Sequence, residues 1–288
     1  MTISTLEAFL SMMAQGFVQR AFVIGVIVAF LSSLLSVFIV LRKVSLIGDG
    51  LAHTAFGGLA LGYYLDLVPL WVAGGVVVLG SIGITRAMRS SKISGDAAVA
   101  IFLQLGLASG IVLLSLARGF GVNLESLLFG SILLVSVDQI FYALLVLGAT
   151  LTFIFLFYKE LVYSTFDEVQ AKASGIRTWF FDYSVSILAG IAIIVSIPIV
   201  GVLLISALLV LPAVTSVQLS NSLRQTVILS PVFGLLSVVL GLLASIILDT
   251  ASGATIVLVG LAIFLLALFV KRIKLRIMSM RRIEEKSV

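Results

Sequence analysis

The chain has 288 residues, of which 61% are hydrophobic and 11% charged, with a net charge of +5. Its mean hydropathy of +1.29 excludes a soluble domain and points to an all-α polytopic membrane protein. No cysteine is present, which excludes disulfides, thiolate metal ligands and a cysteine nucleophile.

Residues 1–16 lack a basic n-region and a clear cleavage site, so no cleaved signal peptide is expected. Leu6, Phe9, Leu10 and Met13 instead predict a short amphipathic helix at the membrane surface. The first span, 17–41, carries Arg20 near its start and is closed by Arg42 and Lys43. The second covers 45–65, and the third, 70–88, ends at Arg86, Arg89 and Lys92. The fourth is 94–117. The connection 118–138 contains an apolar piece, 124–134, too short to span and read as re-entrant or flat. The fifth span is 139–158, followed by the longest polar connection, 159–177. Spans at 179–198, 201–219 (broken by Pro212), 226–248 and 254–270 complete about nine, and a basic tail, 271–288, closes a single transmembrane domain covering 1–288.

An odd number of spans separates the termini. With the tail in the cytoplasm, the inner connections hold Arg42, Lys43, Arg86, Arg89, Lys92, Lys159, Lys172, Arg177 and Arg224, and only Arg20 and Arg118 fall outside. The net charge therefore concerns topology, not nucleic acid. Glu7, Asp66, Glu125, Asp138 and Asp249 then lie outside, where they either concentrate cations or simply mark loops without basic residues. Small residues such as Gly58 and Gly62 predict close helix packing.

The second span reads VSLIGDGLAHTAFGGLALG over 44–62 and contains the only histidine of the chain. Asp49 and His53 are four residues apart and share one helix face, which Ser45 and Gly57 extend. An ionisable pair inside a span marks a transport path or proton relay, and imidazole beside carboxylate is a cation site. A first-turn charge and a packed histidine would satisfy the same pattern. In the polar connection, FDEVQAKASGI (166–176) predicts a short exposed helix, with Asp167 and Glu168 at its N-terminus and Gly175 ending it. It is either a connector or a docking element. The chain lacks a G-x-x-x-x-G-K-[ST] loop, an H-E-x-x-H pair and a G-x-S-x-G elbow, so uphill transport would draw on an ion gradient or another polypeptide.

These segments resemble the permeases of zinc and manganese ABC importers. SLIGDGLAHTAFGGLALG is similar to that family's second-span signature and FDEVQAKASGI to its coupling helix. IPIVGVLLISALLVLPAVTS resembles its proline-containing late span and SGATIVLVG the opening of its last span. The four occur in order between residues 17 and 270. Many members have serine before the histidine and Leu-Pro-Gly after it, where this chain has Ala52 and Phe56-Gly57-Gly58. The resemblance implies a fold like the cobalamin-type (type II) importers with one span fewer, in a bacterial plasma membrane. It also implies a homodimer, cytoplasmic ATPase subunits and an extracellular metal-binding protein as partners.

The same resemblance makes Asp49 and His53 the metal-path residues, with Phe166, Asp167, Glu168, Ala171 and Gly175 coupling to the ATPase. A two-fold axis beside the second span would unite two aspartates and two histidines, an N₂O₂ set suited to zinc and, with added water, to manganese. Zinc is the expected cargo, with no stably bound cofactor. The alternatives are a permease for an organic metal chelate, a proton-driven metal carrier and an intramembrane aspartyl protease. The last would need a second aspartate in the middle of another span, and Asp138 and Asp182 both fall near span ends.

Overall fold

The computed structural model describes residues 14–90, 93–117, 128–130, 136–202 and 205–287. The expected N-terminal amphipathic segment lies outside them, as does the 124–134 piece apart from 128–130. The described residues form helices and no strands. In chain order these are α1 (Gly16–Leu41), α2 (Ile47–Tyr64), α3 (Pro69–Met88), α4 (Gly95–Leu116), α5 (Val137–Leu156), α6 (Tyr158–Phe166), α7 (Glu168–Ala173), α8 (Thr178–Val200), α9 (Ile205–Leu208), α10 (Leu211–Leu219), α11 (Leu223–Leu248) and α12 (Ser252–Ser287).

Seven of these helices, α1, α3, α4, α5, α8, α11 and α12, are long and apolar enough to cross a membrane. The two other expected spans are helical but differ in kind. The apolar residues of α2 are diluted by Asp49, His53 and five glycines. Thirteen of its eighteen residues are nevertheless buried, because α3, α4, α8 and the α9 turn surround it. The span expected at 201–219 is split into α9 and α10. Gly201 takes φ +79°, and Pro212 sits in the first turn of α10, where it lacks no hydrogen bond partner. The hydroxyl of Ser36 on α1 bridges the break, accepting from the Ala213 N–H at 3.3 Å and donating to the Val210 carbonyl at 3.5 Å. A broken helix in a bilayer persists only where neighbours satisfy its freed backbone groups.

α1 is the other central helix. Its Gly25 faces Val238 and Leu242, while Ser33 accepts a 2.7 Å hydrogen bond from Ser230, so α1 and α11 run antiparallel. Leu223 therefore lies at the Arg42 end. Lys271 donates to Gln218 at 2.9 Å, which places the start of the C-terminal tail at that end too. The tail differs from the expectation of a separate segment. With neither glycine nor proline after residue 270, α12 runs unbroken to Ser287. The fifth span starts two residues early, at a Ser136–Gln139 capping box, and ends two residues early, at Leu156, with Phe157 as the joint to α6. Asp66 and Asp249 occupy left-handed turns after α2 and α11, and Asp138 lies in the first turn of α5.

α2 and α4 approach each other closely. A methyl group on Gly106 would stand 2.3 Å from the carbonyl oxygen of His53, and one on Gly57 would stand 2.9 Å from that of Gly106. Gly148 on α5 has open space around it. Gly106→Ala is thus expected to destabilise the chain by about 1–3 kcal/mol through overpacking. Gly148→Ala should be neutral or stabilising. Thermal unfolding midpoints in detergent check both.

Candidate functional site

Two clusters carry the chemistry. The first is on α2. Lys43, at φ +60°, reverses the chain after α1, and α2 begins with Asp49 in its first turn, where the helix dipole favours a carboxylate. From Ile47 to Ala60 every residue is buried except Asp49 and His53. The faces around them are closed by close packing. Gly48 lies against Ser206 and Leu209, Gly50 against Val99 and Ile84, and the His53 main chain against Gly106. The pair therefore opens onto the single stripe of the helix left uncovered. The Nδ1 atom of His53 is buried without a hydrogen-bond partner, leaving a ring nitrogen unpaired. Metal-ligating histidines ordinarily have their second nitrogen satisfied.

The rest of the predicted stripe does not share this face. Gly57 turns to α4, lining an apolar cleft of about 360 Å³ with Gly106 and Ser109. Ser45 precedes α2, in the turn. Among the described residues, no three His, Asp or Glu side chains converge as a metal site.

The second cluster joins helix ends. Arg42, 10% exposed, donates to Asp182 at 2.6 Å, Ser164 at 2.9 Å and Thr165 at 3.1 Å. Arg89 donates to the other Asp182 oxygen and lies 3.6 Å from Glu168. Glu168 in turn takes Lys172 at 2.7 Å and the Thr178 hydroxyl at 3.3 Å. The hydrogen bond from Lys172 is the main cause holding the Glu168 carboxyl below its ordinary range. Burial opposes it, and the charges of Lys172 and Arg89 add to it. A cavity of about 720 Å³ opens beside these groups, and Val44 and Ile47, at the approach to α2, line it as well.

α7 is the short helix expected at 166–176. Asp167 caps it, accepting from the Gln170 N–H at 2.9 Å. Gly175 closes it at φ +83°, with Gly175 N–H on Lys172 and Ile176 N–H on the Ala171 carbonyl, the pattern of a Schellman end. Ala171 is fully buried and anchors the helix, whereas Val169 (79% exposed) and Phe166 (63%) project outward. Sequence reasoning named Phe166 but missed Val169, although a valine between charges on a short polar helix was a visible signal.

A family model described as the ABC 3 transport family matches residues 14–271. The chain belongs to that family. The resemblance to zinc and manganese ABC permeases is thereby borne out. The chain is 32% identical over 256 residues to the manganese transport system membrane protein MntC of Listeria innocua, covering 89% of this chain and 91% of that one. It is 33% identical over 254 residues to the manganese import system permease protein ScaB of Streptococcus gordonii, covering 88% and 91%. Among solved structures, PsaBC from Streptococcus pneumoniae in complex with Fab matches with a TM-score of 0.81 and 33% identity, covering 91% of this chain and 95% of that one. A putative metal-chelate type ABC transporter in an inward-facing conformation matches with a TM-score of 0.63 over 87% of this chain and 84% of that one, at 14% identity, a likeness of fold alone. The all-helical type II-like architecture agrees with both.

The open stripe has a direct test. Cysteines replacing Asp49 or His53 in this cysteine-free chain should react with a small charged thiol reagent, and cysteines replacing Leu51 or Ala55, both fully buried, should not. Equal labelling at all four positions would contradict the geometry.

Proposed function

We propose that two copies of this chain form the membrane pathway of an ATP-driven importer of a divalent transition metal, with Asp49 and His53 of each copy lining the route. The observation that carries this reading is the ionisable pair, the two residues that stay uncovered in the otherwise buried stretch from Ile47 to Ala60 of α2. One chain offers two ligands and has no second histidine and no cysteine. A two-fold axis along the Asp49 face doubles the set to N₂O₂ and lets the ion offset both carboxylates. Such a modest site binds an ion and still releases it.

The cargo we propose first is manganese, because relatives matching about nine-tenths of the chain are named for it. Zinc, expected from the ligand chemistry, is the second reading. Hydrolytic energy comes from a separate ATPase, and an extracellular binding protein delivers the ion. The Arg42–α7 end, with its positive charge and the basic tail, faces the cytoplasm of a bacterial plasma membrane, where Val169 and Phe166 give the ATPase an apolar contact. The protease reading is disfavoured, since Asp182 is occupied by two arginines and Asp138 sits in the first turn of α5. The chelate reading rests on fold likeness only.

Asp49→Ala and His53→Ala should each lower metal uptake by more than about a hundredfold, beyond what loss of an outer-shell partner costs, while assembly persists. Growth rescue of a permease-deficient strain, scored separately for manganese and zinc, identifies the cargo. Val169→Asp with Phe166→Ser should weaken copurification of the ATPase, and an intact complex would reduce α7 to a connector.

A further inference from the structure

We propose that Asp182 is the positioning residue that ties the metal-bearing hairpin α2–α3 to the docking helix α7. The hairpin is bracketed by two arginines. Arg42 caps the C-terminus of α1, just before the turn into α2, and Arg89 caps the C-terminus of α3. Both donate to Asp182, one to each carboxylate oxygen. A single acidic side chain on α8 therefore closes the open end of the hairpin that carries Asp49 and His53.

Arg89 has a second neighbour. It lies 3.6 Å from Glu168, the first residue of α7, which also holds Lys172 and Thr178. The guanidinium of Arg89 is thus shared between α8 and α7. A displacement of α7 by a bound partner changes how much of Arg89 remains for Asp182. Without Asp182, Arg42 and Arg89 would face each other as like charges at the mouth of α2–α3, and the repulsion favours separation of the helix ends. The cavity of about 720 Å³ beside them provides room for that movement. The tight seating of α2 on α3, with Gly58 against Ala73 and Thr54 against Gly80, means that a shift at Arg89 moves the hairpin as a unit.

The proposal rests on the transport reading above for its functional consequence, so its test has two arms. In the reconstituted complex of permease and ATPase, the ions taken up per ATP hydrolysed should fall roughly tenfold in Asp182→Asn, within the range that residues touching neither ligand reach. Asp182→Glu should restore most of the ratio. Glu168→Gln combined with Asp182→Asn should depart from additivity, because both act on Arg89. An unchanged ratio in Asp182→Asn, or full additivity, overturns the proposal. The second arm needs no transport. Spin labels on cysteines replacing Lys43 and Ser174 in the full-length chain report the distance between the α1–α2 turn and α7. Asp182→Asn should lengthen or broaden that distribution, and an unaltered distribution overturns the joint. If the wild-type complex imports no metal while the distance arm responds, the transport reading has failed and the joint has not.

Discussion

The structure is governed by the need to bury a helix that carries two ionisable side chains. An aspartate and a histidine inside a bilayer are costly unless they meet water, an ion or each other's partners. Here α2 is enclosed on nearly all sides, so cost is confined to one stripe where Asp49 and His53 emerge. That enclosure dictates the glycines. The α2–α4 contact brings Gly106 against the His53 carbonyl, which no side chain permits. It also leaves α4, α5 and α12 on the outside of the bundle, where they expose most of their apolar surface while α1 and α2 expose little. The small residues seat α2 tightly on its immediate neighbours. Any motion of Asp49 and His53 is then expected to be motion of a helix pair.

The polar groups of the bundle follow the same economy. Ser36 repairs the break between α9 and α10, and Ser230 crosses from α11 to α1. These hydroxyls satisfy backbone atoms that water cannot reach, which allows irregular backbone beside Gly48, one residue from Asp49. Discontinuous helices in transporters recur beside their substrate sites. At the other end, full charges are tolerated because they are paired: Arg42 is nearly enclosed yet makes three hydrogen bonds through its guanidinium. The same groups link α7 to the α2–α3 hairpin, through Arg89 between Glu168 and Asp182.

Much of this was legible in the sequence where the meaning of a residue is local. The i,i+4 spacing of Asp49 and His53, the Asp167 cap and Gly175 stop of α7, and the Pro212 break all follow from neighbours within a turn or two. The boundaries of the first six spans and of the eighth held within about three residues for the same reason, whereas the seventh is split and the last helix runs on to Ser287. What stayed hidden depends on distant partners. Asp182 lies 140 residues from Arg42 and 93 from Arg89, so the basic residues read as topological signals were also structural ligands of one carboxylate. Leu59, which follows the histidine in an apolar run that reads as lipid-facing, is 3% exposed, since hydropathy does not distinguish a bilayer from a protein core. Gly57 shares the expected stripe by angle, but its neighbour is a glycine of α4.

The central claim is that one ion is held between the Asp49–His53 faces of two chains. Equilibrium manganese binding to the purified, nucleotide-free complex, counted per permease chain, addresses it most directly. The account predicts saturation at one ion per two chains; saturation at one ion per chain would contradict it.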